Sequence, residues 1–190
     1  KGNKISKEAA SIVDEKKKTL STSKDSAETL KQIQTASESL KSSADQLTNT
    51  GKDSVFSKSQ DEIYKAVDSF VTNYNKLIEG SAKSASDSIT KRVDTLKNMT
   101  ESNQKLLGQA GITIGKDDTL TLDKDAFAKA DANTVKTLFS GSYSYASRVS
   151  SQSSFIDFAA TQEAAKANTY TTKGTYSNTY ASGNIFNSYF

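Results

Sequence analysis

Apolar positions recur at alternating steps of three and four along most of this chain, and in one place that rhythm breaks. Leu30, Ile33, Ser37, Leu40, Ala44 and Leu47 step by 3, 4, 3, 4 and 3. Such spacing lays one seam on a helix from about Asp25 to Leu47. Ser37 and Ala44 make the seam narrow, and Gly51 is the expected stop. Ile63, Val67, Phe70, Tyr74 and Leu77 form a fuller stripe on a second helix. Ser59 or Gln60 opens it, Ser59 with Glu62 has the spacing of a capping box, and Gly80 is placed to end it. Ala82, Ala85, Ile89, Val93, Leu96, Met99, Asn103 and Leu106 predict a third helix over about Ser81 to Leu107, packed antiparallel on the second. A broken stripe of Ile5, Ala9, Ile12, Val13 and Leu20 predicts a helical extension within residues 1–24.

The rhythm changes at Leu107–Phe127, "LGQAGITIGKDDTLTLDKDAF". Gly108 and Gly111 end the helix. The runs "ITI" and "LTL" alternate apolar and polar residues around "GKDD", which predicts a β-hairpin at about 111–122 with a four-residue polar tip. Asp123 is placed to cap a short helix that returns Phe127 to the core. Asn133 or Asp131 caps "TVKTLF", stopped by Gly141. A last helix starts near Tyr143, with Tyr145, Val149, Ser153, Ile156 and Ala160 on one face. Residues 167–190 differ in kind. They form a Ser/Thr/Asn-rich tail with Tyr170, Tyr176, Tyr180, Phe186, Tyr189 and Phe190 at intervals and Lys173 as its one charged residue. The fold expected is mainly α: an elongated antiparallel helical bundle or coiled coil, over residues 25–166, with one small β-hairpin.

Composition narrows the chemistry. Hydrophobic residues are 34% and charged residues 25% of the 190, so the core is thin and the surface polar. The 25 basic and 22 acidic residues are interspersed, without the dense basic face that binds nucleic acid. No run is long and apolar enough to insert in a membrane. With no Cys and no His, thiolate metal sites, Ser-His-Asp catalysis and imidazole proton transfer are excluded. Pro is also absent, which suits uninterrupted helices. "SITK" at Ser88–Lys91 fits a Ser-x-x-Lys pattern, but it lies on a helix face in a Ser/Lys-rich chain and has no companion "KTG". An EF-hand count from Asp123 puts Phe127 where an oxygen ligand is needed, and a count from Asp117 puts Leu122 where Gly is required. No catalytic residue, metal, cofactor or small-molecule substrate is expected. The candidate interaction surfaces are the hairpin tip, Lys116, Asp117 and Asp118, and the tail aromatics Tyr170, Tyr176, Tyr180, Phe186, Tyr189 and Phe190.

Three segments in order, "FVTNYNKLI" (70–78), "LGQAGITIGKDDTLTLDKDAFAKA" (107–130) and "VKTLFSG" (135–141), resemble the C-terminal part of the flagellar cap family, hook-associated protein 2. Tyr74 and Asn75 match the first family element. Gly111, Ile112, Thr113, Leu120, Leu122 and Asp123 match the second, with Asp118 standing at the family's Asp-Gly turn. Val135, Leu138 and Phe139 match the third. The resemblance covers somewhat under half of the chain. Residues 80–107 lack the family's "GPL.GD" run, and no sizeable all-β portion precedes Asp25, so the likeness is to the helical-domain part. It implies a protein secreted by the flagellar export route, located in the extracellular flagellum. It also implies contacts with copies of itself, with flagellin or with other hook-associated proteins, in place of nucleic acid or membrane. The bare seams alone fit a generic coiled-coil interaction module of a cell-surface or phage structure.

Overall fold

A computed structural model describes residues 23–167. The expected extension over 1–22 and tail over 168–190 lie outside the described residues. Lys24–Glu163 form one compact unit; the other unit comprises Lys1–Ser23 and Ala164–Phe190.

The larger unit is a mainly helical bundle with a small antiparallel hairpin. In chain order it has α1 (Ala27–Thr48), a single 3₁₀ turn (Val55–Ser57), α2 (Gln60–Ser81), α3 (Asp87–Glu101) and α4 (Gln104–Gln109). Then come β1 (Ile112–Ile114), β2 (Leu120–Leu122), α5 (Lys124–Lys129), α6 (Ala132–Phe139) and α7 (Tyr145–Ala167). Cross-links fix the directions of the long helices. Asp25 accepts from Ser84 and Ala85, while Asn73 donates to the Ser39 carbonyl, so α1 and α2 run antiparallel. Asp45 pairs with Ser150 and Gln34 with Thr161, so α7 runs antiparallel to α1. Thr100 meets Tyr145, Gln152 the Arg92 carbonyl, and Ser88 meets Glu163, so α7 is also antiparallel to α3. The four long helices therefore alternate in direction. The hairpin, with α4 to α6, is inserted between the third and the fourth.

The seams sit where their spacing put them. Leu30, Ile33, Ser37, Leu40, Ala44 and Leu47 are all fully buried. Val67, Phe70, Tyr74 and Leu77 are too, with Ile63 half-buried. The Ser37 hydroxyl is buried in this seam without a partner. Replacing Ser37 by Ala should therefore stabilise the protein by about 1 kcal/mol, since it removes an unsatisfied polar group and favours helix. A urea titration checks the sign.

Local chemistry sets most helix ends. Ser59 and Glu62 form the capping box of α2, Asp123 caps α5 through the Ala126 N–H, and Asp131, not Asn133, caps α6 through the Thr134 N–H. Gly141 follows α6 at φ +85, its N–H donating to the Thr48 carbonyl.

Five expectations are corrected. Gly51 does not stop α1: the helix ends at Thr48, and the Asn49 side chain takes the Gly51 N–H in the turn beyond. Gly80 lies inside α2, with nothing close to it, and the helix runs on through Ser81. The single helix expected over Ser81–Leu107 is two helices, with a loop at 82–86 and a break at Ser102–Asn103. There the Asn103 N–H turns to the Thr100 carbonyl and the Asn103 side-chain amide takes Met99 O, the carbonyl that its N–H would use in a continuing helix. Thr100 and Leu107, rather than Met99, Asn103 and Leu106, take the buried positions around this break. Finally, α7 begins at Tyr145, where the Ser144 hydroxyl accepts the Ser147 N–H as a cap, and Tyr143 lies almost fully exposed in the preceding turn.

Candidate functional site

The hairpin pairs Ile112 with Leu122, Thr113 with Thr121 and Ile114 with Leu120. Ile112 and Leu120 face the helices and are buried. Five residues, not four, separate the strands, and Gly115 and Thr119 extend the ladder by one hydrogen bond of 2.7 Å. Asp118 donates its N–H to the Gly115 carbonyl and has φ +65. This is a type I turn followed by a left-handed residue, a common three-residue hairpin form in which Gly usually holds the last place.

The acids of the tip are engaged inside the fold. The Asp117 carboxylate accepts from the Thr119 hydroxyl at 2.7 Å and the Thr119 N–H at 3.2 Å, which holds its pKa below the usual aspartate value. Asp118 pairs with Lys97 of α3 at 3.0 Å. Lys116 is exposed. The tip is thus a loop tied to α3, presenting one cation outward. The tail aromatics Tyr170, Tyr176, Tyr180, Phe186, Tyr189 and Phe190 lie outside the described residues.

Asn75 of α2 fastens the hairpin to the bundle. Its carboxamide accepts the Leu120 N–H at 2.7 Å and donates to the Leu120 carbonyl at 2.8 Å. The N–H and C=O of Leu120 point away from β1, so the Asn75 side chain fills the place of a missing third strand. Replacing Asn75 by Ala leaves both backbone groups of Leu120 unpaired and half-shielded from water. A loss of roughly 2 kcal/mol is expected, with faster amide exchange at Leu120. Unchanged exchange there would refute the clamp.

Beneath the hairpin, Phe70 packs edge-to-face on Phe139 and Tyr145, with ring centroids 5.5 and 6.0 Å apart. Tyr64 meets Phe127 at 5.7 Å. Thr100 donates to the Leu96 carbonyl, so the proton of its 2.8 Å contact with Tyr145 comes from the tyrosine. Tyr74 is fully buried and its hydroxyl has no partner. Burial pushes the Tyr74 phenol up to about 12 and raises that of Tyr145 further still. Both phenols therefore stay neutral at any physiological pH, and they serve as core rather than as acids or bases.

The Ser88 hydroxyl is bonded to Glu163 at 3.2 Å and to Ser86, so "SITK" assembles no Ser–Lys pair. Among the described residues no three His, Cys, Asp or Glu side chains gather as a metal site. No helix among them is long and apolar enough to cross a membrane.

One surface escaped the sequence reading. Phe155 and Phe158 of α7 are 52% and 57% exposed, on the side of the helix away from its buried face. The Arg92 guanidinium of α3 lies 5.5 Å over the Phe155 ring. On the opposite flank, Asp157 stands near Glu38 of α1. Burial, then the Glu38 charge, raises the Asp157 pKa. Between Val149 and Gln162, Asp157 is the one charged residue. The signal was legible as two aromatics off the seam within a charge-poor helix. It was hidden because the seam residues of the same helix account for a buried face.

The sign of the Asp157 effect follows from its raised pKa. The folded protein holds this proton more tightly than the unfolded chain, so stability falls as pH rises from the usual aspartate value of 3.8 through the raised one. At neutral pH Asp157→Asn should stabilise, by no more than about 1 kcal/mol, because solvent screens a half-exposed pair. Paired pH–stability curves of the two proteins, converging in acid, would check this.

No protein family, no curated protein and no solved structure matches this chain.

Proposed function

We propose that this chain is a structural, non-enzymatic protein of the bacterial flagellum, of cap type. It would be exported by the flagellar route and act through protein contacts in filament assembly. One observation carries the reading. The three segments that resemble the cap family are far apart in sequence, yet they form a single packed body. Asn75 of the first holds Leu120 of the second, and Phe70 of the first packs on Phe139 of the third. Residues shared with a family for a common reason are expected to meet in this way. The 3–4 seams of α1 and α2 fit coiled-coil-like packing of the helical part. The partners of this reading are flagellin, other hook-associated proteins or copies of the same chain.

The test is genetic. Cells that lack this protein should swim poorly, carry short or missing filaments and release unassembled flagellin into the medium. Restoring the gene should restore filament length. Normal motility with filaments of ordinary length would refute the proposal.

A further inference from the structure

The outer face of α7 carries features that neither the fold nor the flagellar reading uses. Phe155 and Phe158 are one turn apart and more than half exposed, although the same helix already buries Tyr145, Val149, Ile156 and Ala160. Around them lie Ser151, Ser154 and Gln162, all small or uncharged, and exposed Arg148 borders them two turns before Phe155. Exposed aromatics in a charge-depleted field, beside an arginine, have the composition of an interface centre rather than of a solvated face.

The charges bordering this field are of opposite sign and on opposite flanks. Gln152 donates to the Arg92 carbonyl, which places α3, with the Arg92 guanidinium, on one side. Thr161 is bonded to Gln34, which places α1, with Glu38 and Asp157, on the other. Among the described residues, no cation pairs with Glu38 or Asp157 and no carboxylate pairs with Arg92. We infer that this face binds a second copy of the same chain, α7 against α7 in parallel about a two-fold axis. A half-turn about an axis parallel to α7 sets Phe155 and Phe158 against their counterparts. It also swaps the flanks, so the α3 side of each copy meets the α1 side of the other. Arg92 then faces Asp157 and Glu38 of the partner, twice over. Along the axis, Arg92 is level with residues 152–155 and Asp157 lies within about 3–8 Å of that level, at ~1.5 Å rise per residue. An arginine side chain spans that offset. An antiparallel pairing keeps each flank on its own kind, and it would set Asp157 and Glu38 against their own copies. A contact centred on these residues is small, so the pairing is weak and reversible. The inference rests on the α7 face alone and is independent of any flagellar role.

Sedimentation equilibrium of the full chain tests it. The expected result is a monomer–dimer equilibrium with a dissociation constant of roughly 1–100 µM. The double variant Phe155→Ser with Phe158→Ser should be monomeric with unchanged helical circular dichroism, since both side chains are exposed. Arg92→Glu should weaken pairing at least about tenfold by opposing like charges, and adding Asp157→Lys to it should restore pairing. A wild-type chain still monomeric at about 500 µM would overturn the proposal. So would a dimer indifferent to the two Phe substitutions, or a charge reversal that its partner substitution fails to rescue.

Discussion

Replacing Phe70 by Ala is expected to lower unfolding stability by about 3–5 kcal/mol. The ring is fully buried and touches two other rings, Phe139 and Tyr145, edge-on. Those two rings also pack on each other, at 6.5 Å. Each is held by its own helix, so the surroundings cannot collapse into the gap. The loss therefore includes the cavity as well as the transferred surface. A domain of this size has about 5–15 kcal/mol in total, so the variant should sit near its unfolding threshold at 37 °C. Phe70→Leu retains most of the volume and should lose distinctly less. Urea unfolding followed by circular dichroism measures both. A loss under about 1 kcal/mol for the Ala variant would mean that the three-ring cluster does not hold the bundle.

The second large effect is expected at Gly111. It has φ +76, and a Cβ built there lies 2.7 Å from the Phe127 nitrogen and 3.0 Å from the Ala126 Cβ. The obstructing atoms include α5 backbone, which cannot rotate away. Gly111→Ala adds a left-handed penalty of about 1–2 kcal/mol to an overpacking cost of about 1–3, for a total on the order of 3 kcal/mol. The damage should be local at first. The hairpin and α5 should separate, and the NMR contact between the Tyr64 and Phe127 rings should vanish. A variant that keeps that contact and its melting temperature would show that the close approach is not required.

Legibility in the sequence followed the range of the interaction. The seams of α1 and α2 were readable because each buries one face for its whole length, so period alone places Leu40 or Leu77. Caps were readable because Ser59 with Glu62, Asp123 and Asp131 bond within three residues. The hairpin was readable from alternation, but its loop length was not. Thr119 joins the ladder through a backbone bond to Gly115 that leaves no mark in the apolar pattern. The break at Ser102–Asn103 was missed because no Gly or Pro signals it; the Asn103 side chain takes the Met99 carbonyl from its own N–H instead. Thr100, rather than Met99, is in the core, where it meets the Tyr145 hydroxyl of α7, 45 positions away. The same non-locality concealed Asn75, whose role depends on Leu120, 45 positions away. Of the interaction surfaces expected, the tip acids are occupied within the loop and by Lys97. The paired Phe residues on α7 form the larger exposed apolar feature among the described residues.

The order in which the bundle's walls occur along the polypeptide has a consequence for its synthesis. Gln34 and its partner Thr161 are separated by 127 positions. As the nascent chain leaves the ribosome, α1 and α2 can pair with each other, while the faces that α7 covers stay open. They must wait for the hairpin insertion to pass before α7 arrives as a lid. Contacts this distant slow the final closure. The bundle is thus expected to close only after α7 has been translated.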